Sequence, residues 1–485
     1  MDNLKEKTLT GLFWNLAERV GVRIVQFIPT IILARLLSPE EFGLVGMLAL
    51  FVSITQIFLD SGFGVALIQK KDATYTDECS IFYFNILVGG LAVLVLFFLA
   101  PLVAGFYNQP ILTPLMRWLS MDLLITAFGL IQVTVLTRKM DFVSLLKANL
   151  LSTLAGGAVG VAAAYLGMGV WSLVLQTISN TIFQTITLWM VCDWRPAWVF
   201  SLVSLRGMFG FGSRMLSSNL VSSFFDNLYQ VFIGKAFSAA SLGHYTRALS
   251  LRKIVIDTTS DALSKVLFPS MASIQEDTPR LKRAYRKSIL LATFLNFPLM
   301  LGLIVIAGPL ITLLFSAKWG QSIPYFQWMC AAGLLYPLHV VNLEVLKVKG
   351  RSDLFFQLTL IKRTLMVAAI IITYRWGISA MLMGQVVNSF IGYFLNSLYS
   401  GKLIGYSVKQ QLADILPNLA FASVMALGMA GTGLLFSMAG WEKLLAQSVV
   451  GVFIYFLVHF LARTEAFSEA FSAGRGFWAT VYGKG

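Results

Sequence analysis

Two arginines and a glutamine interrupt an apolar run near the start of the chain, WNLAERVGVRIVQFIP. The positions i, i+4 and i+7 place Arg19, Arg23 and Gln26 on one face if that run is helical. Guanidinium groups grip oxyanions through paired N–H donors, so such a face can hold phosphate, pyrophosphate or carboxylate. Charge alone does not choose between phosphate and carboxylate. A second apolar run further on carries Arg214, Asn219 and Asp226, and Asp226 stands 200 positions after Gln26. Asn219 and Asp226 are seven apart, again on one face of a helix. These six residues are the candidate lining of a substrate cavity. Glu18, Asp60, Arg252, Lys253, Asp257 and Asp261 form a second group, suited to a gate or an ion-pair belt at the mouth of that cavity. Lys362 and Arg363 lie close enough to a helix end for their long stems to reach an interface by snorkelling. The cations of these runs outnumber the acids near them, which favours an anionic ligand.

Other chemistries lack their residues. There is no glycine-rich Lys-Ser/Thr loop for nucleotide phosphates, no HExxH and no GxSxG. Cys79, Cys192 and Cys330 are far apart, as are His244, His339 and His459, so neither set has metal-ligand spacing. No enzyme activity, no metal and no cofactor is expected, and any transport runs without ATP hydrolysis by this chain.

The elements that must position these groups are membrane helices. Of 485 residues, 57% are hydrophobic and 12% charged, and the mean hydropathy is +0.76. Soluble chains carry about 25% charged residues. Apolar stretches recur at the length of about 20 residues that a membrane helix needs, too long for barrel strands. The expected spans are 12–34, 42–65, 80–105, 115–136, 145–165, 169–191, 208–231, 245–268, 287–308, 323–346, 355–374, 378–399, 411–435 and 442–462. The fold class is therefore all-α and polytopic with about fourteen transmembrane helices. The first stretch contains Glu18, Arg19 and Arg23 and precedes no small-residue cleavage site, so it reads as a span rather than a signal peptide. With the N-terminus inside, the cytoplasmic segments hold 22 Lys/Arg and the opposite loops five. That bias places both termini in the cytoplasm. The net charge of +14 then reflects topology and contact with anionic membrane lipids, not nucleic acid. The polar segment 273–288, with Pro279 and five basic residues, is expected as a short amphipathic helix on the cytoplasmic surface.

A repeat organises the spans. LARLLSPEEFG (33–43) is echoed by IGKAFSAASLG (233–243), and PLMRW (114–118) by PYFQW (324–328). The expected organisation is two six-helix bundles, 1–200 and 201–400, two further helices within 401–462, and a cytoplasmic tail at 463–485. Six helices per repeat make the halves parallel, related by an axis along the membrane normal, with a central cavity between them.

The segments ILARLLSPEEFGLVGM and DSGFGVALIQ, with GKAFSAASLGHYTRALSL as the half-repeat, closely resemble the polysaccharide exporters of the multidrug/oligosaccharidyl-lipid/polysaccharide flippase superfamily. The resemblance covers about 1–460 and is strongest to the bacterial branch of colanic-acid exporters and O-antigen flippases. It implies two six-helix bundles forming a V, with two extra helices. It also implies a cargo of undecaprenyl-pyrophosphate-linked oligosaccharide, flipped from inner to outer leaflet of the bacterial cytoplasmic membrane by alternating access, for exopolysaccharide or O-antigen synthesis. Polysaccharide polymerase machinery is the partner so implied. Essential early-helix arginines of the family correspond best to Arg23, less well to Arg19. No sodium or proton site is carried over. The rival readings are a multidrug cation exporter, which needs an acid-lined pocket, and a flippase for a lipid-linked peptidoglycan precursor. A membrane polymerase or ligase would need a catalytic cluster that is not visible. A scaffold would leave the charged interior unexplained.

Overall fold

A computed structural model describes residues 21, 25–60, 62–435 and 440–469, without the side chains of 211, 257–266 and 268–270. Glu18, Arg19 and Arg23, and the side chains of Asp257 and Asp261, lie outside the described residues. Every regular element among those described is a helix, as hydrocarbon requires: without water, backbone groups must pair within their own segment. In chain order the helices are α1 (Val25–Leu36), α2 (Pro39–Asp60), α3 (Phe63–Gln69), α4 (Tyr75–Tyr107), α5 (Leu112–Ala127), α6 (Leu130–Arg138), α7 (Phe142–Tyr165) and α8 (Trp171–Val191). They continue with α9 (Leu202–Ala236), α10 (Ala239–Ala272), α11 (Thr278–Phe315), α12 (Ser322–Gly333), α13 (Tyr336–Val348), α14 (Ser352–Thr373), α15 (Ile378–Ile404), α16 (Val408–Leu435) and α17 (Gly440–Leu461).

Every expected span coincides with a helix or a pair of short consecutive helices, the first of them over its described part. Ten of these are long and apolar enough to cross a membrane, counting α2–α3, α5–α6 and α12–α13 as single broken spans. Helices α8, α9 and α10 have the length, at 21, 35 and 34 residues, but carry more polar residues. The segment at 273–288 differs from expectation. Its basic residues are the opening turns of the continuous 38-residue α11, capped by Asp277, whose carboxylate accepts from the Arg280 amide at 2.9 Å. Capping by Asp277 and the fixed φ of Pro279 nucleate the helix before the apolar stretch begins.

The chain divides into two compact units, Met1–Thr246 and Arg247–Gly485. In the first, α9 packs on α2 and α4. Ser223, Asn227 and Gln230 of α9 form a polar ladder whose Ser223 hydroxyl and Asn227 amide reach Ser53 of α2 at 3.0 and 3.1 Å. In the second, α16 and α17 pack against α11. Buried polar groups hold them there: Asn418 of α16 donates to Thr293 of α11 at 2.8 Å, and Tyr455 of α17 donates to the Phe294 carbonyl at 2.7 Å. At the start of α11, Arg286 forks between Asp414 at 2.9 Å and Glu465 at 2.7 Å. The residues following α17 are thereby docked as far as they are described.

The echoed motifs touch each other. A Cβ on Gly43 would lie 1.7 Å from the Ala239 carbonyl oxygen, and one on Gly243 would lie 1.7 Å from that of Pro39. The contact is reciprocal across residues 200 apart, so the first turns of α2 and α10 cross backbone to backbone. Only glycine permits that approach, the same physics that favours small residues between membrane helices. Gly43→Ala or Gly243→Ala is expected to destabilise the protein by about 3 kcal/mol, because backbone cannot retreat as a side chain can. Thermal unfolding in detergent will show it as a clear drop in Tm. Gly90→Ala on α4, where an added Cβ meets nothing within 4 Å, is expected to leave the Tm unchanged or raised.

Candidate functional site

A cavity of about 360 Å³ lies within the second unit, walled by α10, α12, α13, α14 and α15. Three helices contribute the same spacing of i, i+3, i+4 and i+7. Tyr336, His339, Val340 and Leu343 come from α13; Thr359, Lys362, Arg363 and Met366 from α14; Gln385, Asn388, Ser389 and Gly392 from α15. That spacing is one helical face, so each helix turns a single stripe to the cavity. Arg252 of α10 closes the wall.

The helix break between α12 and α13 sets the geometry. It frees carbonyls at membrane depth, and side chains catch them. Asn296 of α11 donates to Gly333 at 3.2 Å and Leu334 at 2.7 Å, while Ser389 of α15 donates to Ala332 at 2.9 Å. The Ser389 oxygen, its proton so used, accepts from His339 Nε2 at 3.2 Å, and His339 Nδ1 accepts from the Asn396 amide at 3.1 Å. This network assigns His339 as a neutral imidazole with its proton on Nε2. Gly392 makes room: a Cβ there would stand 3.2 Å from Lys362 Cδ and 3.3 Å from His339 Cε1. The Lys362 stem therefore runs past bare backbone into the cavity.

Arg252, Lys362 and Arg363 bring positive charge to this wall, and among the described lining residues none is a carboxylate. Arg252 Nε, Gln385 Oε1 and Asn388 Oδ1 are shielded from solvent and have no hydrogen-bond partner. Cations at membrane depth are costly and are found where they face a cavity or a partner. Two cationic heads converging on a cavity without a described acid make an oxyanion the chemical complement.

Expected site residues are distributed as follows. Gln26 on α1, Arg214, Asn219 and Asp226 on α9, and Asp60 at the end of α2 have exposed side chains in the first unit. Arg252 is in the cavity wall, whereas the neighbouring Lys253 is exposed on the same helix. Among the described residues Asp60, Arg252 and Lys253 enter no ion pair. Lys362 and Arg363, read from sequence as snorkelling cations, instead line the cavity with Arg252. His339, one of three histidines without metal-ligand spacing, is a wall residue with both nitrogens engaged. Gln385 and Asn388 went unnoticed; their stripe with Ser389 and Gly392 was the available signal. The free cysteines are all buried, and no group of three or more potential metal ligands occurs among the described residues.

Helical spans, a duplicated sequence and a cation-lined cavity define a polytopic membrane transporter. The family model described as "Polysaccharide biosynthesis protein" matches residues 32–324. The chain belongs to this family of polysaccharide exporters. It is 27% identical to the teichuronic acid biosynthesis protein TuaB of Bacillus subtilis (strain 168), across 98% of this chain and 100% of that one. It is 24% identical to the lipopolysaccharide biosynthesis protein WzxC of Escherichia coli (strain K12), across 88% and 89%. The fold is that of the lipid II flippase MurJ in an inward closed conformation, with TM-score 0.75, 13% identity and coverage of 93% and 99%.

Inorganic pyrophosphate is expected to raise the Tm of the detergent-solubilised protein, by binding the folded state alone. The Arg252→Ala/Lys362→Ala variant, measured in parallel, is expected to lose that shift.

Proposed function

We propose that this protein flips a polyprenyl-pyrophosphate-linked oligosaccharide from the inner to the outer leaflet of the bacterial cytoplasmic membrane by alternating access. The polysaccharide polymerase machinery would receive it there. The observation that carries the reading is the cavity where Arg252 and Lys362 converge without a described carboxylate. A pyrophosphate diester offers oxyanions to both heads, and the dry surroundings strengthen each contact. A second feature of the same unit suits the lipid part of such a cargo. Helices α11, α16 and α17 enclose an apolar groove of about 330 Å³ walled by residues such as Pro298, Gly302, Met425 and Gly451. It adjoins a larger apolar hollow along α17, with which it shares Val452 and Phe456. An isoprenoid chain has the width and chemistry to lie there.

Two cargoes fit this chemistry equally. The names of TuaB and WzxC tie those proteins to surface polysaccharides, and they favour a polysaccharide repeat unit here. The fold shared with a lipid II flippase over 93% of the chain favours a lipid-linked peptidoglycan precursor. Both present a polyprenyl pyrophosphate, so the basic cavity serves either, and the sugar separates them. A drug-cation exporter fits less well, since the cavity offers its ligand positive charge.

Proteoliposomes loaded in turn with undecaprenyl-pyrophosphate-linked oligosaccharide and with lipid II test both readings. Flipping of at least one is expected. Arg252→Ala and Lys362→Ala are each expected to slow it about tenfold or more, the cost of removing one charge-assisted contact. Arg23→Ala is expected to do the same if the early-helix arginines share the path. An unchanged rate in a folded Arg252→Ala/Lys362→Ala variant would sink the assignment of this cavity to the pyrophosphate. Transport of lipid II alone would transfer the cargo to cell-wall synthesis.

A further inference from the structure

The polar stripe of α15 divides into residues already committed and residues held in reserve. Ser389 donates to the α12–α13 break and accepts from His339, and the Asn396 amide nitrogen donates to His339, while the Asn396 oxygen has no partner but stands outside the cavity lining. Gln385 and Asn388 lie on the same stripe and line the same cavity, yet their amide oxygens have no partner. Leaving a buried acceptor unpaired costs about 1–3 kcal/mol, and buried polar groups without partners are rare in folded proteins. An aliphatic side chain at either position would avoid that cost. Neither amide contributes to holding α15 in place, because the break and His339 are already served.

We propose that Gln385 and Asn388 make this cavity a glycosyl-phosphate subsite, their amides reading hydroxyl groups of the first sugar while Arg252 and Lys362 hold the adjoining phosphate. This rests on the anion-holding role given to those two cations above. An amide carbonyl accepts from a sugar hydroxyl while its NH₂ donates to a neighbouring sugar oxygen, so one Asn or Gln can engage two adjacent positions of a ring. Three residues separate the two amides along α15, which sets them one above the other on the same face. Their oxygens are shielded in this conformation. The terminal torsions of Asn and Gln are broad and shallow, so rotation turns the amides to a ligand without strain. A cavity of about 360 Å³ has the size of a small-molecule site and admits a monosaccharide with its phosphate. The outcome is a division of labour. The cations give affinity for any polyprenyl-phosphate cargo, and the amides set which sugar is accepted.

The test compares two soluble probes that share an anion and differ in the sugar: α-D-glucose 1-phosphate and methyl phosphate. Their affinities are measured by calorimetry on the purified full chain in nanodiscs. The wild type is expected to bind glucose 1-phosphate about tenfold more tightly, the value of one or two net hydrogen bonds. In the Gln385→Ala/Asn388→Ala variant that ratio should fall to about one, with methyl phosphate affinity unchanged, which also shows that the cavity is intact. Equal affinities in the wild type, or a ratio that survives in the variant, overturn the proposal. Loss of both ligands together in the amide variant overturns it too, because the amides would then be structural. The Arg252→Ala/Lys362→Ala variant separates the two readings. If it keeps its methyl phosphate affinity, the anion role fails on its own account, and the amide ratio is read independently of it.

Discussion

A carbonyl freed at membrane depth has no water to accept from, and among the broken spans two are mended by side chains from another helix. These are the break between α5 and α6 in the first unit and the break between α12 and α13 in the second. At both, a later helix donates to carbonyls at the break, joined in the second by Asn296 of α11. Thr185 of α8 donates to Ile125 at 3.2 Å and Trp189 to Phe128 at 2.9 Å, while Ser389 of α15 donates to Ala332 at 2.9 Å. A side-chain hydroxyl on a carbonyl at a helix break is therefore found in both units. Non-helical backbone survives in hydrocarbon only where protein re-satisfies it. In the second unit the repair has a further consequence. The serine that mends the break also accepts a hydrogen bond from His339 Nε2, and so fixes the wall from which the cavity is built.

That dependence explains why the cavity can hold cations at all. Lys362 lies beside Gly392 and the neutral His339 ring, and the lining contributed by α13 and α15 carries no fixed charge. Were His339 protonated, its charge would stand near the Lys362 stem, since one Cβ on Gly392 would lie 3.3 Å from His339 Cε1 and 3.2 Å from Lys362 Cδ. The hydrogen bonds to Ser389 and Asn396 use both nitrogens in the neutral form and leave no acceptor for a second proton. Arg252, Lys362 and Arg363 give the described lining its positive charge.

Helix positions were legible in the sequence because hydropathy at a period of about 20 residues reports the bilayer itself. The repeat was legible for a different reason: Gly43 and Gly243 recur where backbones must cross, and no other residue fits. What failed to show was register. Lys362 and Arg363 sit near a helix end, where snorkelling is an adequate account, and only the stripes of α13 and α15 reveal that their face meets a cavity. The segment 273–288 reads as a surface helix because its charge is concentrated, yet capping by Asp277 makes it continuous with the apolar helix that follows. Its arginine is spent on Asp414 and Glu465, residues 128 and 179 positions away. Partnerships over such separations leave no mark in local spacing.

Polar groups in this membrane protein serve packing in one place and line a cavity in another. Tyr285, Asn342, Ser400, Gln411 and Ser397 form a buried network beneath α11, α13, α15 and α16 in which each side chain finds a partner. Such a network specifies packing, because displacing any member strands another. The phenol of Tyr406, hydrogen-bonded to Asp414 beside it, belongs to the same structural class, its pKa pushed well up by burial and by that carboxylate. The α15 stripe is different. Ser389 and the Asn396 amide nitrogen serve the scaffold, while Gln385 and Asn388 share the cavity lining with Arg252 and Lys362. Buried polar atoms without a partner also occur away from this cavity, at Asn396, Gln447 and His459 among others, so it is position in the wall with those cations that sets Gln385 and Asn388 apart.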